Sequence, residues 1–131
     1  MTTRATGTFT IDSWEPRLYD EAEGATLTRT RVTKTFRGEI EGTSTAELLM
    51  ASAGEGSMAY VGFERIAVSI IGHAGTFVLH HNAIASRDGQ TATWTVLPHS
   101  GTGALQGLRG AAQIVSEPDG GHTFILDYDL D

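Results

Sequence analysis

Along most of this chain apolar and polar residues change places at every second position, the period of a β-strand whose successive side chains leave opposite faces. In Gly7–Trp14, Phe9 and Ile11 alternate with Thr8, Thr10 and Asp12, which predicts a strand with one apolar face. Pro16 has no N–H to give to a ladder and is expected to end that strand. After an acidic turn at Asp20–Gly24, residues 25–37 set Arg29, Arg31 and Thr33 on one face and Val32, Lys34 and Phe36 on the other, and Gly38 closes the run. Thr45–Ala51 contains good helix formers, but Gly42, Thr43 and Thr45 oppose a helix start and the run is short. A strand is therefore predicted from Ile40 to Ala51. Further apolar runs follow at Ser57–Glu64, Arg65–Ile71, Thr76–Asn82, Thr91–Leu97, Ala111–Ser116 and His122–Leu130, each bounded by Gly, Pro or Asp-Gly turns.

About eight or nine strands at a spacing of ~8–12 residues predict one all-β domain over residues 1–131. A closed antiparallel barrel of about eight strands is expected, because an open sheet would present two edges with little Pro or Lys to shield them. Such a barrel has an interior that side chains fill or that holds one small ligand.

Composition narrows the chemistry. A length of 131 residues suits a single domain, and no internal repeat or low-complexity tract divides it. The absence of cysteine excludes disulfides, a thiol nucleophile, zinc fingers and iron–sulfur sites. Nine basic against sixteen acidic residues give a net charge of -7, which argues against nucleic acid as a partner. No apolar run is long enough to span a bilayer, and the first residues lack the apolar stretch of a signal peptide, so a soluble, cytoplasmic protein with no membrane partner is expected.

Several features carry candidate chemistry. Gly101–Gly110 is the sharpest composition shift, but Gln106 stands where a dinucleotide fingerprint needs its third glycine, and a strand follows where a helix should. A tight turn at one barrel end is the expectation. His80 and His81 are adjacent and so point to opposite faces, which disfavours a His-x-His metal site, and neither metal nor cofactor is expected. His81 shares its face with Phe77 and Leu79 and is the inward imidazole. Glu47 and Glu64 lie in otherwise apolar strands, where an unpaired carboxylate would be costly. For Glu64 the available cations are Lys34 and Arg109; for Glu47 a solvated outer position competes evenly with a pocket role. Trp94 and Tyr128 fall on inward faces and, with Tyr60, are candidate ligand-contacting walls. No serine sits in a Gly-x-Ser-x-Gly elbow.

Taken as a set, Gly7-Thr-Phe9, Lys34–Gly38, Glu41–Ser44, Tyr60–Arg65, Trp94-Thr-Val96, Gly101–Gly110 and Asp127–Asp131 resemble the bacterial domain-of-unknown-function family 3224 over essentially the whole chain. That family is similar in fold to the allene oxide cyclase barrel, and the resemblance implies an eight-stranded barrel with a cavity. It transfers no residue of the cyclase reaction. The expected function is binding of a small hydrophobic molecule inside the barrel, with isomerase or cyclase chemistry using His81 with Glu47 or Glu64 as acid/base groups. The alternatives are a carrier or sensor using the same cavity, or a filled barrel acting through its surface. An interior below about 300 Å3 would be too small for a drug-sized ligand and would favour the filled barrel. A homo-oligomer is expected, with Val32, Val78 and Ile125 on a mixed outer face.

Overall fold

The computed structural model describes residues 2–130. Eight strands follow one another: β1 (Thr3–Ala22), β2 (Ala25–Gly38), β3 (Ile40–Ala53), β4 (Met58–Ile70), β5 (His73–Ser86), β6 (Gly89–Val96), β7 (Arg109–Ser116) and β8 (His122–Asp129). Each pairs antiparallel with the next, and β8 returns to β1 through pairs such as Ala5 with Leu126 and Phe9 with His122. The predicted closed barrel is the observed one. Thr45–Ala51 is strand, while Ser57–Glu64 and Arg65–Ile71, read as consecutive runs, form one continuous β4.

The two-residue period explains the core. Every second residue of β4 from Gly62 to Ile70 is buried, and on β2 Thr30, Val32, Lys34 and Phe36 face inward while Arg29, Arg31 and Arg37 are exposed. Val32 therefore belongs to the interior and not to the outer wall, because its neighbours on the same face are Thr30 and Lys34. Val78 and Ile125 do lie on the outer side, partly covered.

One end of the barrel is sealed. Residues 97–108 cross it with a single 3-10 turn at Gly103–Leu105, and Leu105 and Leu108 are wholly buried against Phe77, Ile70 and Leu126 in one apolar cluster. Thr102 donates its N–H to the Thr76 carbonyl at 2.8 Å. Gly75 permits that approach, since a Cβ there would collide with the Thr102 carbonyl oxygen. The Gly101–Gly110 segment is thus the close crossing expected of it, with Gly103 at φ +59.

The other end is open and uneven. β1 to β5 run for 13 to 20 residues, whereas β6, β7 and β8 have 8 each. Beyond Phe9, β1 pairs only with β2, so the β1–β2 hairpin rises above the rim as an edge. Pro16 does not end β1. It pairs with Thr30 in this one-sided stretch, the edge position in which a sheet tolerates proline. Register shifts between Ile11 and Ser13, and between Leu18 and Asp20, add bulges that with Pro16 and the flanking charges keep another strand from adding to the edge. The first bulge also restores Trp14 to the inward face, opposite Val32.

If the sealed end depends on Gly75, Gly75→Ala lowers the unfolding free energy by about 1–3 kcal/mol through overpacking. Gly54→Ala, in open space, stays within about 0.5 kcal/mol of wild type. Chemical denaturation separates the two, and equal effects would contradict the close crossing.

Candidate functional site

Four adjacent strands each send one polar side chain into the interior near mid-height: Lys34 from β2, Ser44 from β3, Glu64 from β4 and His81 from β5. All four are buried, Glu64 completely. Register brings them together. Lys34 pairs with Ser44, and Gly62 pairs with His81, one inward step from Glu64. Ala46 fills the position between Val32 and Glu64 with the smallest side chain a strand can place there. At Gly62 a Cβ would strike the Glu47 carbonyl and the Leu48 side chain, so glycine lets β3 and β4 close up beside the imidazole.

Glu64 is the hub. Its Oε1 accepts from Lys34 Nζ at 3.2 Å and from His81 Nε2 at 2.7 Å, and its Oε2 accepts from the Ser44 hydroxyl. Burial pushes the Glu64 carboxyl up, but the His81 hydrogen bond, the charges of Lys34 and His81, and the Ser44 hydrogen bond outweigh it and bring its pKa down to about 2. An ionised carboxylate can only accept, so His81 Nε2 carries a hydrogen. In the neutral imidazole Nδ1 is then the acceptor, and it faces the Tyr60 hydroxyl at 3.4 Å. Trp94 Nε1 donates to the Tyr60 oxygen at 3.3 Å. With the imidazole neutral, hydrogen bonds run in one direction from Trp94 through Tyr60 and His81 to Glu64. Burial raises the Tyr60 hydroxyl above its ordinary pKa, the Trp94 hydrogen bond opposes this, and the Glu64 charge adds to it. Tyr60 therefore keeps its proton at neutral pH. Lys34 also lies 4.5 Å from the centroid of Phe9, a cation–π contact on its apolar side.

Above this network the open end holds a cavity of 200 Å3. Its walls are apolar, from Phe9, Ile11, Trp14, Val32, Ala46, Leu48, Met50 and Ile114, with Lys34, Tyr60, His81, Ser116 and His122 as the polar positions. Glu64 is behind Lys34 and His81 and is not part of the wall. The volume is below the ~300 Å3 of drug-sized sites, so the cavity encloses only a compact group. It still exceeds the roughly 150 Å3 that suffices for benzene in an apolar protein cavity. Larger hollows of 730 and 450 Å3 lie on the outer wall, the first among Glu15, Arg17, Tyr19, Arg29 and Arg31 and the second beside Phe63 and His80.

The structure assembles some of the residues singled out in the sequence and separates others. His81 and Tyr60 line the cavity, with Glu64 behind them, whereas Trp94 reaches the Tyr60 hydroxyl without being one of the lining residues. Glu47 does not join them: its parity is outward, and it pairs with Arg29 at 3.1 Å and Arg31 at 3.8 Å on the exposed face. It is corrected to an outer-wall residue. Tyr128 is buried in the apolar cluster toward the sealed end, opposite Gly110, with its hydroxyl pKa raised by burial and by the Glu39 charge, and it does not line the cavity. The sequence marks Lys34 only as a partner for Glu64, yet it also lines the cavity. Its signal was that the only lysine of the chain falls on the Val32–Phe36 apolar face. Ser44 gave no signal, because which serine meets Glu64 depends on strand register. Among the described residues no group of three or more His, Asp or Glu side chains is arranged to hold a metal ion.

Lys34→Met leaves the Glu64 charge buried with one partner fewer and is expected to cost about 3–5 kcal/mol. Lys34→Met combined with Glu64→Gln should cost less than the sum of the single changes, and additivity in denaturant melts would contradict the coupling. The pH dependence has a definite sign. The folded pKa of Glu64, about 2, is below its ordinary 4.5, so the network's contribution is complete above about pH 4.5 and fades as pH falls toward 2. The stability gap between wild type and Glu64→Gln should narrow over that window, and a gap independent of pH would refute the assignment.

The match to the protein family of unknown function DUF3224 spans residues 5–128. A solved structure of a protein of unknown function from that family in Shewanella oneidensis MR-1 is 33% identical, with a TM-score of 0.92, covering 100% of this chain and 99% of that one. No curated protein matches the chain. A near-complete family match and a like-sized relative with the same barrel agree with the motifs read along the sequence, and the chain belongs to the DUF3224 family.

Proposed function

We propose that the protein binds a compact, mainly apolar small molecule in the open end of its barrel, where Tyr60 and His81, ordered by Glu64, act on it as acid/base groups. The observation that carries this reading is the buried Lys34–Glu64–His81 cluster at the floor of an apolar cavity. Burying such a cluster gains little stability over apolar side chains of similar volume, so stability alone does not account for it. A titratable network in contact with a cavity is one mark by which functional sites are recognised. The directed chain from Tyr60 to Glu64 supplies what proton transfer needs: a hydroxyl that keeps its proton, an imidazole held in one tautomer, and a carboxylate that stabilises positive charge on it. Isomerisation of a bound molecule is the reaction class this suits.

A second reading, assembly with another copy through the outer wall, is supported by Leu49, Val61 and Phe63, which stand about half exposed beside one another on β3 and β4.

Native mass spectrometry of protein purified without denaturation should reveal a bound small molecule that Ile114→Trp, filling the cavity, excludes. Given that molecule, folded Tyr60→Phe and His81→Gln variants should still bind it but convert it about 100-fold or more slowly. Unchanged conversion by both variants would sink the acid/base role. Binding with no conversion by wild type would leave a carrier.

A further inference from the structure

The cavity floor is unbalanced in its hydrogen-bonding groups. Its carboxylate is hidden, with Oε1 shared by Lys34 and His81 and Oε2 taken by Ser44, so Glu64 offers nothing to a ligand. In front of it stands Lys34, an ammonium with three N–H bonds, of which one goes to Glu64. Beside it is the Tyr60 hydroxyl, whose oxygen accepts from Trp94 and whose hydrogen faces His81 Nδ1. At this floor a molecule therefore meets the two remaining N–H bonds of Lys34 and its positive charge, with apolar walls around it. A buried donor without an acceptor is costly, and a second cation beside Lys34 would be repelled.

Resting on the cavity reading above, we infer that the ligand is a compact ring or branched-chain compound bearing an sp2 oxygen, a carbonyl or a carboxylate, which Lys34 holds by a hydrogen bond. Size sets the rest of the class. A cavity of 200 Å3 has room for a benzene ring and one small substituent. Lys34 is thus a ligand-binding residue as well as the counterion of Glu64, and the oxygen it takes sits over the same floor as the Tyr60 hydroxyl and His81. Such a pose is the one acid/base chemistry next to a carbonyl requires, because a donor on the oxygen favours loss of a proton from the neighbouring carbon.

Four probes of one shape test this: benzoate, acetophenone, benzylamine and toluene, titrated into nitrogen-15-labelled wild-type protein at pH 7. The readout is the Trp94 indole N–H resonance, assigned with Trp14→Phe. Benzoate or acetophenone should bind about tenfold or more tightly than toluene, as a hydrogen bond to a charged donor implies, with benzylamine no tighter than toluene. Which of the two binds better tells carboxylate from neutral carbonyl. In Lys34→Met/Glu64→Gln the preference should vanish while toluene still binds. Equal affinity for all four, or a preference for benzylamine, would overturn the acceptor assignment and leave the cavity reading standing. No shift of Trp94 with any probe would overturn both. The wild-type comparison is decisive even where the double variant fails to fold.

Discussion

The structure turns on one carboxylate placed where no water reaches it. Glu64 is fully buried in an all-β interior, and an isolated charge there would neutralise or unfold the barrel. It stays ionised because three neighbouring strands deliver a cation, an imidazole and a hydroxyl to its two oxygens. Only a closed sheet of fixed register can bring residues 34, 44, 64 and 81 to one point, since a slip of one position on any strand would turn its partner to solvent. The ion cluster therefore reports on register, and its cost is a constraint that mispaired sheets cannot satisfy.

Ionisation of Glu64 also fixes what lies above it. An acceptor-only carboxylate dictates the hydrogen on His81 Nε2, which in the neutral ring makes Nδ1 the acceptor and aims the Tyr60 proton inward. The Trp94 indole completes the chain from across β5. Meanwhile the fold supplies an asymmetric container. Leu105 and Leu108 close one end, whereas the long β1–β2 hairpin and the two-position β6–β7 seam leave the other end open over the network. A polar floor, apolar walls and a single mouth follow from strand lengths and from a few glycines that let backbone pass closely.

Much of this was legible along the chain. Two-residue alternation gave the barrel, put Val32, Lys34 and Phe36 on one face, and turned His81 inward with Phe77 and Leu79. The paired cation of Glu64 followed from the cost of a lone buried charge and from the scarcity of cations on apolar faces. What alternation could not resolve was depth and height. Glu47 lies between Ala46 and Leu48, both inward, so its parity was outward once the register was known, but Leu48-Leu49 hid that parity in the sequence. Tyr128 is inward as read, yet on a strand whose C-terminal end lies at the sealed side, and position along the barrel axis depends on connections rather than on local pattern. The bulge that turns Trp14 inward, and the tolerance of Pro16 on a one-sided strand, depend equally on which neighbours a strand lacks.

The central claim is that the buried network serves the cavity and not the stability of the barrel. Its most direct test replaces the network by apolar residues of similar size, Lys34→Met, Glu64→Leu and His81→Phe together, and measures the unfolding free energy by chemical denaturation. The account predicts a folded barrel at least as stable as wild type, as found when buried ion clusters elsewhere give way to packed side chains. A loss of several kcal/mol in that triple variant would contradict it, and would make the network a structural fastening.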